Sequence, residues 1–308
     1  MKSYLSGIVA AAFTLGVAGH QTINAQDNMT NTEPSWKSNF GAQISTGYDI
    51  WHGFPDGTYP DNNGAHFGAN LSALVLPKFG VGLQAGGSYG VYDFNGRDST
   101  VRQGNQEQTF FTGGFFIRGP ENSPVSGGLV YDMMLNHNFG VAATDVLLQQ
   151  LRGQISVKVC SQSEVGVWGA MELNRASIIP NNVGVMSYRG IDQGSLFYQY
   201  TFEQGSKLRG WLGLPFSDTL APSHNGVGTW LAGLRFDVPL NDRVALYGEG
   251  AYMSPHTTIP FALKVSEVSS VSIGLTFNLG FGKPGGRSSA YLPVADNSTF
   301  FVDGDNTF

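Results

Sequence analysis

From Val271 to Phe281 the side chains alternate in polarity without a break. Val271, Ile273, Leu275, Phe277, Leu279 and Phe281 take one parity; Ser272, Gly274, Thr276, Asn278 and Gly280 take the other. A period of two puts each set on its own face of an extended strand. A strand standing between hydrocarbon and water has this pattern. Eleven further segments alternate similarly: Asn39–Trp51, His66–Leu76, Gly80–Tyr92, Gln106–Arg118, Ser126–Asn136, Gln149–Cys160, Glu164–Asn174, Gly194–Phe202, Lys207–Pro215, Gly228–Val238 and Arg243–Met253, with the last strand spanning Val268–Phe281. Their lengths suit a tilted bilayer crossing, which takes ~9–11 residues. Two stretches read ambiguously. Asp145 could cap a short helix through Leu147, Leu148 and Leu151, and Ile259–Val265 could extend the last strand or form a loop hairpin.

The connections constrain the topology. Long ones (52–65, 93–105, 137–148, and those after the seventh, ninth and eleventh segments) alternate with short ones such as Pro77–Phe79, Ser161–Ser163, Glu203–Ser206 and Pro239–Asp242. Outer-membrane barrels have short periplasmic turns and longer outer loops. The expected fold is therefore an all-β, antiparallel, up-and-down transmembrane barrel of about 12 strands over residues 38–282. An even strand number would leave both termini on the periplasmic side.

Composition agrees. Charged residues make up 13% of the chain, about half the usual ~25%, and 42 of 308 residues are Gly. Mean hydropathy is only −0.09. The apolar residues are thus dispersed, and no mature segment is continuous enough for a spanning helix. Met1–Ala25 reads as a cleaved secretory signal, with Lys2, an apolar run from Tyr4 to Gly19, and a cut after Ala25. Residues 26–37 form a polar lead-in and 283–308 a periplasmic tail or partial plug. The net charge of −6 becomes more negative once Lys2 is removed, which argues against nucleic-acid partners. Cys160 is the single cysteine, so no intrachain disulfide forms; it is expected in the barrel wall.

Ser272, Gly274, Phe277 and Leu279 fall at the positions of a recurrent pattern: polar, any, Gly, two of any, hydrophobic, any, hydrophobic. This resembles the C-terminal β-signal of outer-membrane barrels. The resemblance implies delivery to the barrel-assembly machinery and residence in outer-membrane lipid. It departs from the signal in that 27 residues follow Phe281. Gly113–Pro120 (Gly-Gly-Phe-Phe-Ile-Arg-Gly-Pro) and Tyr291–Ala295 (Tyr-Leu-Pro-Val-Ala) also resemble a family of uncharacterised outer-membrane barrel proteins, which implies no particular activity.

Alternation assigns a lumen face carrying Asp49, Arg118, Asp132, Arg152, Lys158, Glu172, Lys207, Arg209, Arg235, Asp237 and Glu249, together with Gln43, Ser45, Asn70, Gln84, Thr112, Gln154 and Gln199. The opposite face is nearly free of charge. The lumen charges could line a narrow, porin-like pore for small polar solutes, or pair and close a structural wall protein. Arg118, Lys158, Lys207, Arg209 and Arg235 lie near the periplasmic ends of their strands, whereas the tail carries Asp296, Asp303 and Asp305. The tail could dock in the basic mouth through ion pairs, or remain solvated.

No cofactor or metal is expected. His52, His66, His137, His224 and His256 map to outer loops or adjoining strand ends, without metal-ligand spacing. For a barrel hydrolase of lipid or peptide, Ser223 beside His224 is the only adjacent Ser–His pair, and Asp49 or Asp218 could be invoked as the acid. A secreted β-protein binding an external ligand is a further alternative, opposed by the uncharged face.

Overall fold

The computed structural model describes residues 37–52, 61–92, 105–119, 123–140, 143–178, 186–218, 220, 227–254, 268–279 and 288–304. Met1–Ala25, expected to be a secretory signal, Ile259–Val265, Phe281, Asp305 and the Ser223–His224 pair lie outside them.

Twelve antiparallel strands close a barrel: β1 (Phe40–His52), β2 (Asp61–Leu76), β3 (Val81–Tyr92), β4 (Gln106–Arg118), β5 (Val125–Phe139), β6 (Thr144–Lys158), β7 (Ser163–Glu172), β10 (Gln193–Thr201), β11 (Lys207–Pro215), β12 (Leu231–Pro239), β13 (Val244–Met253) and β14 (Val268–Asn278). Each pairs with its neighbour in sequence order, and β14 closes on β1 with Gln43 opposite Asn278 and His52 opposite Ser269. Closure leaves no unpaired sheet edge, which hydrocarbon would penalise. A separate sheet holds β8 (Arg175–Ile178), β9 (Met186–Gly190) and β15 (Val302–Gly304), with β9 in the middle.

Parity decides the faces. On β1, Phe40, Ile44, Tyr48 and Ile50 are exposed, whereas Asp49 and Trp51, of the opposite parity, are buried. Phe67, Leu83, Phe115, Leu196, Leu212 and Ile273 continue this uncovered outer wall; Leu196 is 69% and Phe67 64% exposed. So continuous an apolar wall is a surface for hydrocarbon, not water.

Four expectations are corrected. First, the Asp145–Leu151 stretch is strand, not helix. Val146, Leu148 and Gln150 point inward and are buried, so a period of two satisfies more apolar burial than a helix would. Second, β5 and β6 extend to Phe139 and Thr144, so the fifth connection is a four-residue turn rather than a long loop. Asn138, Gly140 and Ala143 adopt positive φ there, and the register shifts between Asn136 and Phe139. Third, β2 begins at Asp61, which places His66 within the strand instead of at the rim. Fourth, Cys160 lies exposed in the turn after β6, not in the wall. The barrel thus has a short-turn end, where β1 starts, and an opposite long-loop end.

Candidate functional site

The lumen is occupied by the chain's own C-terminal segment. Residues 288–304 enter at the short-turn end and rise to the long-loop end. At entry, Ser72 Oγ donates to the Ser288 carbonyl at 2.5 Å. A Cβ on Gly41 would lie 2.6 Å from that carbonyl, so the wall is bare where the strap passes. Higher up, Gln84 accepts from the Tyr291 amide (2.9 Å), and its side-chain amide donates to the Leu292 carbonyl. Asn70 accepts from Val294 N (2.8 Å) and Thr112 from Ala295 N (2.9 Å). A compact turn follows, in which Asp296 Oδ1 accepts from Ser298 N and Thr299 N. Asn297 donates to Gln108, and Gln150 and Gln193 donate to the Thr299 carbonyl. A chain lacking strand partners must find them elsewhere when enclosed. The inward amides of the wall supply them.

At the long-loop end the strap becomes apolar. Phe300 packs with Phe110 (ring centroids 6.2 Å apart) among Met134, Phe139, Val146, Leu148 and Tyr188. Phe301 joins Trp168, Ile191, Trp211, Leu231 and Met253. β15 then pairs with β9, and Asp303 accepts from Leu220 N (2.8 Å) while facing Arg189 Nε at 3.4 Å.

The candidate lumen residues all have inward parity but fall into distinct groups. Asp132 is fully buried and takes both oxygens to Arg152 (2.8 and 3.1 Å), with Thr112 at 2.6 Å and Gln150 at 2.9 Å. Arg152 also donates to the Pro293 carbonyl at 2.7 Å, which couples this pair to the strap. Glu172 sits at the long-loop end between Arg175 and Arg189. Lys158 lies exposed at the short-turn rim. Asp49 accepts from Tyr92 (2.9 Å) and lies 2.8 Å from His66 Nδ1. With Nδ1–H directed to the carboxylate, Nε2 accepts from the Tyr247 hydroxyl at 2.6 Å. Tyr247 reaches across because Gly47 and Gly274 carry no side chain: a Cβ on either would lie within 2.7 Å of its hydroxyl. Gly274 of the β-signal-like pattern therefore has a local packing reason. Ser272 faces Glu249 and Asp49 in register, whereas Phe277 has outward parity and Leu279 follows the strand.

A single inward row follows the register around the wall: Lys158, Glu164, Gln199, Arg209, Arg235, Glu249, Ser272 and Asp49, each opposite the next. Arg209 and Arg235, like charges, face directly. Arg235 is held by Asp237 (3.1 Å) and Glu249 (2.8 Å), and Arg209 turns to Gln199 and Gln154.

The expected ion pairs between tail and basic mouth are not what holds the strap. Asp303 faces Arg189 and Asp296 caps its own turn, while Arg118 donates to the Ala290 carbonyl at 3.2 Å. The physical reason is reach: the strap climbs past the mouth, so its carboxylates finish above it. Sequence reasoning missed Arg189 and Tyr247, and it placed Asn70, Gln84 and Thr112 in the lumen without their strap partners. The inward run of uncharged Gln, Asn and Thr was the available signal. Among the described residues, the histidines do not all sit at one rim. His66 lies in the lumen, and His137 meets Asp145 on the exposed outer side, 2.6 Å apart.

A closed barrel with an apolar exterior, a polar interior and an internal strap is a β-barrel of outer-membrane type. The chain belongs to the family described as "Family of unknown function (DUF6666)", whose model matches residues 52–302. No curated protein matches it. Among solved structures it is similar to outer membrane phospholipase A from Escherichia coli, at 9% identity over 77% of this chain and 96% of that one (TM-score 0.44). It is also similar to the translocator domain of autotransporter NalP from Neisseria meningitidis, at 13% identity over 89% and 94% (TM-score 0.44). A third likeness is to a Pseudomonas aeruginosa FadL homologue, at 9% identity over 78% and 90% (TM-score 0.43). Likeness at this level concerns the barrel and carries no argument about activity.

Proposed function

We propose that the protein is an exported outer-membrane wall protein whose barrel is kept shut by its own C-terminal strap, a sealed barrel rather than an open pore. The observation that carries this reading is the strap itself, hydrogen-bonded to the wall at successive heights and ending between two apolar clusters. Phe300 and Phe301 bury their rings in these clusters. The outer wall suits outer-membrane lipid, and the last strand resembles a signal for the barrel-assembly machinery. In this reading small polar solutes enter the lumen but do not cross it.

Single-channel conductance in planar bilayers tests it. The full chain should give no stable steps, and a chain ending after Gly286 should give large ones. Heat-modifiable migration must first show both to be folded. Steady conductance of the full chain, equal to that of the truncated one, would overturn the sealed barrel.

A further inference from the structure

Near the short-turn end, Lys207, Arg209 and Arg118 stand half-buried. Lys207 and Arg209 are incompletely neutralised. Asp237 faces Lys207 in register but gives both oxygens to Arg235, at 3.1 and 3.2 Å. Arg209 bonds only neutral amides, Gln199 Oε1 at 3.1 Å and Gln154 Oε1 at 3.0 Å, and its guanidinium lies 4.3 Å from the Phe197 ring centroid. Among the described residues, neither Lys207 nor Arg209 has a carboxylate within ion-pair distance. Glu164 is the nearby acid, and it takes a 3.4 Å hydrogen bond from Gln199. Of the tail carboxylates, Asp296 and Asp303 are engaged higher up.

Cations enclosed by a low-dielectric wall focus an anion-attracting field and are costly to leave without a counter-charge. The guanidinium fork and the ammonium both match an oxyanion. We propose that the short-turn half of the lumen is an oxyanion-binding vestibule, in which Lys207 and Arg209 hold the phosphate or carboxylate group of a solute entering from that end. Arg118, fixed on the Ala290 carbonyl and 5.4 Å from the Tyr291 ring centroid, forms its far edge. The vestibule rests on the sealed-barrel reading only for its being a dead end.

Calorimetric titration of the detergent-folded full chain with inorganic phosphate, and separately with acetate, tests this at constant ionic strength in chloride. Saturable binding is expected, and its preference between the two anions names the source. Lys207→Gln and Arg209→Gln should each weaken it by about tenfold or more, the effect of one lost charge-assisted hydrogen bond. Arg209→Lys should recover part of the affinity, and Lys158→Gln at the rim should change nothing. No saturable binding of either anion, or equal affinity in Lys207→Gln, Arg209→Gln and the unaltered protein, would overturn the vestibule. Should the glutamine variants not fold, the unaltered protein decides alone. A bound anion must raise its unfolding temperature above that in chloride of equal ionic strength, and no rise sinks the proposal. Conductance is a separate measurement, so failure of the sealed barrel would not be confused with failure of this site.

Discussion

Asp132 shows how far a single lumen residue can be read from sequence. Its inward parity and its membership of a charged interior follow from alternation alone. Its partners do not, because Thr112 lies on β4 and Gln150 and Arg152 on β6, the two strands flanking its own, whose registers the sequence does not fix. Nor does sequence reveal that Arg152 and Thr112 also hold strap residues Pro293 and Ala295. A carboxylate with no exposure and four short hydrogen bonds keeps an equally buried guanidinium neutralised. Breaking a buried pair by removing one partner typically costs about 3–5 kcal/mol. Asp132→Ala should therefore lower unfolding stability by about that amount, read as a shift in the urea midpoint of the detergent- or liposome-folded barrel. Adding Arg152→Ala should restore part of the loss, because the orphaned charge is then gone. A single-variant cost below about 1 kcal/mol, the range of a solvent-exposed pair, would contradict the buried network.

The twelve barrel strands were legible because each carries its own two-residue period, which tertiary context need not supply. β8, β9 and β15 were not. They are four, five and three residues long, and β15 pairs with β9 from more than a hundred residues away. The strap was legible only in part. Its Pro and lack of alternation exclude a wall strand, but its binding depends on backbone groups that every sequence possesses. The clearest element, β14, gives the sharpest test of face. Leu275 shares its parity with exposed Ile273, whereas Thr276 points inward and bonds the Ala245 carbonyl at 3.3 Å. An arginine on the lipid face costs ~2–4 kcal/mol near the midplane. Leu275→Arg should reduce heat-modifiable folded protein in membrane fractions well below the yield of Thr276→Arg. Equal yields would overturn the face assignment.

Across the whole molecule, the strap changes where the chain ends. Twelve strands alone would return the C-terminus to the short-turn end beside the start of β1. Instead residues 288–304 climb the lumen, and Val302–Gly304 pair with β9 at the opposite end. The short turns, including exposed Cys160, mark one side of the membrane and the end of β15 the other. If the short turns face the periplasm, as in other outer-membrane barrels, the end of β15 lies on the cell-surface side. The Cys160 thiol is also more acidic than usual, because hydrogen bonds around Ser163 and Gln162 favour its thiolate. It should react with maleimides readily, and at a lower pH than an ordinary thiol does. Two labels on one protein then test the topology together. An epitope added after Phe308 should be reached by antibody on intact cells. A membrane-impermeant maleimide should label Cys160 only after the outer membrane is opened. Labelling of Cys160 on intact cells would invert the orientation. An epitope reached only in opened cells, with Cys160 still protected on intact ones, would mean that the strap does not thread the barrel in the membrane.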